Sequence, residues 1–333
     1  MATQLKLTQA ASSQAMCALA QKFKLDFEQA ETILDERLAG RKFVFNRDGM
    51  EYYPFEGWQG DAAGALEAII PIECETTVAS TDSSCILIGE TSDGSAYAVR
   101  GAVTFASGGT VESYLRLGPI IVYLSRKGAI GLPTPMGAYE LKVSLFDHQI
   151  AERMIRNSVE RMIISSLMDS PEEMIVMADG SLKHPAASVG EFGSPPSASC
   201  STLVGFSKSS SLVSSGGVAN ALAQARSASF GTVEGGNVTT LLAKFSPDGL
   251  VFRLDIKSVR REERPGEVLG RVLWSDCFSV GYPESLRLAH HLSVFSRAED
   301  AALKTYLARR YALKHLPTFG LRKIALGSFA AAR

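Results

Sequence analysis

Residues 174–182 read Met174-Ile175-Val176-Met177-Ala178-Asp179-Gly180-Ser181-Leu182, an apolar run of strand length that delivers one carboxylate onto a Gly-Ser turn. A continuous apolar run bounded by turn residues predicts a buried strand rather than a half-solvated one. A buried strand needs a cover, and the residues on either side of this one decide what the cover is. Asp179 itself has two explanations. Asp-Gly is a common way for a strand to stop, and a strand end is also a place from which a metal ligand can be presented.

Upstream, His148–Met168 carries Met154, Ile155, Val159, Met162, Ile163 and Leu167 at helical spacing, which predicts a helix with one broad face on a sheet. Before it lie three strand-like segments. Ile72–Ser80 runs to Asp82 at its tip, with Cys85–Gly89 as a short apolar sequel. Ala96–Ala106 follows the turn signal Ser92-Asp93-Gly94-Ser95, and Leu117–Leu124 completes a predicted antiparallel meander. Downstream, Thr202–Phe206 reads as another short strand ending at Ser207-Lys208, with Leu250–Ile256 and Val268–Trp274 as two late strands and helix from about Pro283. The Ser/Gly/Ala-rich 186–235 segment is otherwise expected to be mobile loop. Residues 8–40 read as helical, and Tyr52-Tyr53-Pro54-Phe55 with Trp58 as aromatic packing under a loop. The sum is an α/β protein, a mixed sheet flanked by helices. Residues 1–70 form an N-terminal helical and aromatic extension, 71–305 the main domain, and 306–333 a basic, helical C-terminal tail.

The chain has 333 residues, 46% hydrophobic and 21% charged, which suits a globular protein with a sizeable core. A net charge of −1 supplies no global field for nucleic acid, so such binding would need a local patch. Five scattered cysteines without a Cys-x-x-Cys pair argue against a disulfide framework or a zinc site, and fit a reducing cytosol. No signal-peptide core and no apolar run of membrane-spanning length is present, so a soluble cytoplasmic protein is expected. A Gly-x-x-x-x-Gly-Lys-Ser/Thr run is absent, so the chain is not expected to hydrolyse ATP itself.

Asp82 and Asp179 each end a strand-like segment and are followed by small residues. Hard divalent cations want carboxylate oxygens, and two strand-end aspartates converging on one point supply them. Glu160 lies beside the apolar arc of the helix, where a carboxylate is costly unless paired or coordinated. It is either a ligand or the partner of Arg156 or Arg161, and Glu152 competes with it. Lys208, after Val-Gly-Phe-Ser, either contacts a phosphate or lies on the surface. Beyond residue 300, Lys304, Arg309, Arg310, Lys314, Arg322, Lys323 and Arg333 occur with no acidic residue. This basic stretch follows a DNA backbone, meets a partner, or is a solvated face.

Taken together, the Asp82-x-Ser84 tip, Arg156-x-x-x-Glu160, Asp179-Gly-Ser-Leu182, Val204-Gly-Phe-Ser-Lys208 and Gly281-Tyr-Pro283 through Ala289-His290 resemble the NurA family of DNA-repair nucleases, over roughly residues 75–305. The resemblance implies a ribonuclease H-like fold and a Mn²⁺- or Mg²⁺-dependent nuclease with two ions. It also implies a homodimer that works with a hexameric HerA-type ATPase to resect DNA ends in the 5′-to-3′ direction. Carried over, Asp82, Glu160, Asp179 and His290 match the metal ligands, with Tyr282 as a further contributor and His291 as the alternative register for His290. Other classes the sequence admits are a catalytically silent adaptor on a ring ATPase, and a ribonuclease H-like nuclease with another nucleic-acid substrate.

Overall fold

The structure, a computed structural model, describes residues 16–22, 24, 42–45, 66–132, 141–142, 144–182, 201–207, 217–258 and 263–315. Its first strands are β1 (Lys42–Phe45), β2 (Glu67–Ala68), β3 (Thr77–Glu90), β4 (Gly94–Ser107), β5 (Thr110–Ser125) and β6 (Gly128–Ile130). There follow α1 (His148–Met168), β7 (Met174–Asp179), β8 (Thr202–Ser207), α2 (Gly217–Gln224), β9 (Ser229–Glu234), β10 (Thr239–Lys244) and β11 (Val251–Lys257). The chain closes with α3 (Pro265–Ser275), the hairpin strands β12 (Phe278–Ser279) and β13 (Tyr282–Pro283), α4 (Glu284–Ser293), α5 (Arg297–Arg310) and β14 (Lys314–His315).

The expected meander is present: β3, β4 and β5 are long antiparallel neighbours. After α1 the chain returns to the far side of β3, where β7 and then β8 pair in parallel. The spatial order β5-β4-β3-β7-β8 is the ribonuclease H-like arrangement, and the sheet continues past β8 through β11, β10, β9 and β2. The mixed α/β architecture is therefore as the sequence implies.

Helices cover both faces, and side-chain alternation along the strands sorts the core between them. Ala79, Val103, Val176 and Leu203 face Ile155, Val159, Ile163 and Leu167 of α1. Val78, Ile175, Met177, Val204 and Phe206 face Val268, Leu269 and Val272 of α3 and Leu286 of α4. Asp147 starts α1 by accepting from the backbone N–H groups of Gln149 (2.8 Å) and Ile150 (3.2 Å). Ile163 packs over Gly101 of β4, where a Cβ would lie 2.5 Å from its Cδ1, so glycine sets how closely α1 approaches the sheet.

Several sequence expectations are corrected. Val268–Trp274 is not a strand but the body of α3. Pro265 occupies the first turn, Glu267 accepts from the Arg264 N–H at 3.3 Å, and Val268, Leu269 and Val272 form a buried helical face. The expected loop at 186–235 contains α2 and β9, and β10 follows it unforeseen. Cys85–Gly89 is no separate strand, because β3 is continuous through it. Asp82 is accordingly not at a strand tip. The turn-type residues Thr81 to Ser84 are held extended by unbroken pairing with Gly101, Ala102 and Val103 of β4 and with Arg100. Residues 16–22 and 24 are helical, as expected within 8–40. The aromatic segment 52–58, Lys208, Arg322, Lys323 and Arg333 lie outside the described residues.

Candidate metal centre

Parallel register brings the two aspartates together. Thr81 of β3 is level with Ala178 of β7, so the next step along both strands sets Asp82 beside Asp179. The strand that ends is β7; β3 continues. Asp82 thus reaches the end of the parallel sheet from the middle of its own strand.

The third member comes from α4. His290 Nδ1 lies 2.8 Å from Asp82 Oδ2, and Ser293 Oγ, one turn further along the helix, donates to the same oxygen at 3.0 Å. One ligand atom each from Asp82, Asp179 and His290 falls within 4.8 Å of the others. Asp82 is buried while the His290 side chain is 47% exposed, so the cluster opens to solvent on the histidine side.

The position of α4 is set from its first turn. Ser285 Oγ donates to the Asp276 carboxylate and lies 2.5 Å from Ser80 Oγ, while Thr104 donates to the Ser285 carbonyl at 2.8 Å. This buried polar chain ties the helix to β3 and β4. Burial pushes the Asp276 carboxyl up to about 6, with the Glu284 charge adding to it, against the lowering effect of hydrogen bonds from Ser285 and Cys277. His290 lies in the last turn of α4, where the helix dipole favours positive charge.

The electrostatics of the three carboxylates differ. Burial raises Asp82, but hydrogen bonds from His290, Ser293 and the Ser83 backbone outweigh it and hold the carboxyl below its ordinary value. Glu160 is pushed up to about 8, first by burial and then by the charges of Asp82 and Asp179, with Arg156 and a hydrogen bond from Ser83 opposing. It therefore holds a proton at neutral pH while its two neighbours are unneutralised. Glu160 approaches from the α1 face and is not in the set whose ligand atoms lie within 4.8 Å. Tyr282 is half-buried, its ring edge-on to Phe206 at 5.2 Å. Its phenol is raised by burial and then by Asp179 and Asp82, which places it in the same field.

The sequence alternatives separate. Glu152 accepts from the backbone N–H of Leu87 at 2.8 Å and is outside the cluster. His291 is exposed and is likewise outside it. Ser181, one of the small residues after Asp179, donates to Asp255 at 2.5 Å. Sequence reasoning missed Ser293, although its spacing of one helical turn from His290 put it on the same face. Asp255 gave no signal, since a charged residue in a strand reads as solvent-facing.

Two carboxylate oxygens and an imidazole nitrogen at this spacing could hold a divalent metal ion. With Asp82 ionised, His290 donates its Nδ1–H to it, which leaves Nε2 as the nitrogen that could face a metal ion, the arrangement of a carboxylate-oriented ligand.

No family model matches the chain, and no curated protein matches it. Among solved structures, the crystal structure of the NurA nuclease from Sulfolobus solfataricus is similar at 13% identity with a TM-score of 0.48, covering 76% of this chain and 89% of that one. At that level the likeness bears on neither activity nor site. No helix among the described residues is long and apolar enough to cross a membrane.

Proposed function

We propose that the protein is a divalent-metal-dependent phosphodiesterase that cuts DNA, with Asp82, Asp179 and His290 as metal ligands and Glu160 completing the site. The observation that supports it most is the register-matched pair Asp82 and Asp179, joined by His290, where the parallel strands of a ribonuclease H-like sheet end. A bound divalent cation supplies an activated water and neutralises the scissile phosphate. Asp82 is fixed by Ser293 and His290, so its remaining oxygen is aimed rather than free to rotate. His290, whose Nδ1–H is given to Asp82, has Nε2 to offer the metal, and the Tyr282 phenol, kept neutral by its surroundings, is a donor to a phosphate oxygen. The sequence motifs extend the proposal to Mn²⁺, a second ion, resection of DNA ends in the 5′-to-3′ direction, a homodimer and a HerA-type ring ATPase as partner. Lys208 belongs to it as a phosphate contact.

The test is digestion of end-labelled single- and double-stranded DNA with and without Mn²⁺. The parent is expected to cut only with the metal, and folded Asp82→Asn and Asp179→Asn to lose cleavage. Variants that cut as fast as the parent would overturn the site. Metal-independent cleavage, or none, would overturn the function.

A further inference from the structure

The turn after Asp179 is held by a carboxylate two strands away. Asp255 of β11 is wholly buried, at 0% exposure. Its Oδ2 accepts from Ser181 Oγ at 2.5 Å and from the Leu182 N–H at 3.0 Å. Its Oδ1 accepts from Thr240 Oγ1 at 2.8 Å and from Arg253 Nη2 at 3.1 Å. Ala178, Gly205, Asp255 and Thr240 form one row across β7, β8, β11 and β10.

For Ser181 to reach Asp255, the chain must fold back over β8, and two glycines permit it. Gly180 has φ +120°, which an L side chain rarely adopts, and its N–H donates to the Phe206 carbonyl at 2.9 Å. Gly205 lies directly beneath, and a Cβ there would sit 2.6 Å from the Gly180 carbonyl oxygen and 2.8 Å from Leu182 Cγ. Asp179 is thus gripped from both sides, by the β7 ladder before it and by this lock after it.

Burying a charge is a poor way to gain stability, because an apolar replacement for a buried ion pair is often neutral or better. What Asp255 gives is geometry. We propose that Asp255 is a positioning residue, which aims Asp179 at Asp82 and His290 by fixing the 180–182 turn; the inference rests on the metal-site reading of that cluster.

The experiment uses the full chain and its Asp255→Asn and Ser181→Ala variants, each first checked for folding by circular dichroism. Mn²⁺ binding is measured calorimetrically, cleavage is titrated against Mn²⁺, and hydrogen exchange is followed at the Leu182 amide. Asp255→Asn is expected to weaken Mn²⁺ binding by about 10- to 100-fold, to regain rate at high Mn²⁺, and to speed exchange at Leu182. Ser181→Ala should shift binding in the same direction by less, and it decides the matter if Asp255→Asn does not fold. Folded variants that bind Mn²⁺ within about twofold of the parent, or unchanged exchange at Leu182 in Asp255→Asn, overturn the positioning role alone. A parent that binds no Mn²⁺ overturns the metal reading and this inference with it. A parent that binds Mn²⁺ without cutting DNA removes the nuclease and leaves positioning to be judged on the binding shift.

Discussion

Asp276→Asn should make the protein less sensitive to rising pH. The folded carboxyl titrates at about 6 against an ordinary 3.8, because it is buried and near Glu284. A group raised in the folded state contributes stability that is fully present below the unfolded value and is lost as pH rises through the folded one. The interval between those two values corresponds to about 3 kcal/mol. Asparagine mimics the protonated form: its oxygen accepts from the N–H groups of Cys277 and Ser285, and its amide donates to Ser285 Oγ, which then turns to Ser80. Urea unfolding of both proteins between pH 4 and pH 8 reads the effect. The parent should lose most of about 3 kcal/mol relative to the variant across that range, chiefly between pH 4 and 6.5. A stability difference that stays flat would show that Asp276 is not held protonated. A parent that gains on the variant as pH rises would show a carboxylate stabilised in its ionised form.

Ile163→Ala empties the notch over Gly101 and should cost about 3 to 4 kcal/mol in urea unfolding. Phe206→Ala removes the ring that Phe245, Phe252 and Tyr282 contact at 5.8, 5.0 and 5.2 Å. A loss of about 3 to 5 kcal/mol is expected, and one below about 1 kcal/mol would mean these rings do not form a common core. Glu160→Gln should lower Mn²⁺-dependent cleavage at least about 10-fold, whereas Glu152→Gln should stay within about threefold. The reverse ranking in an end-label assay would reassign the carboxylate on α1.

The longest patterns were legible in the sequence. Helix α1 matches its apolar spacing, and β7 and β8 match their apolar runs, because burial of a whole face or a whole strand leaves a periodic record. What escaped depended on partners remote in the chain. Thr81-Asp82-Ser83-Ser84 looks like a turn and becomes mid-strand because β4 pairs with all of it. Val268–Trp274 is apolar enough for either element, and Pro265 with Glu267 settles it as helix. The β10 segment Thr239–Lys244 is too short to outweigh its Gly- and Ser-rich surroundings. At the site, residue types were readable but their support was not. Asp179 is readable as a strand-end carboxylate and His290 only through the family resemblance, with His291 as its alternative, while Ser293 and Asp255 are linked to them through contacts made in three dimensions.

The unequal lengths of β3 and β7 have a consequence for the backbone of β3. Where β7 stops at Asp179, β3 runs on to Glu90, and among the described residues the strand beside that later half is β1, with Val44 and Phe45 opposite Glu90 and Gly89. Glu152 reaches down from α1 and takes the Leu87 N–H at 2.8 Å, standing in for the carbonyl that a neighbouring strand would offer. The same difference in strand length that sets two aspartates side by side thus leaves a backbone N–H of β3 to a side chain, and the carboxylate that rivals Glu160 in the sequence is the one that takes it.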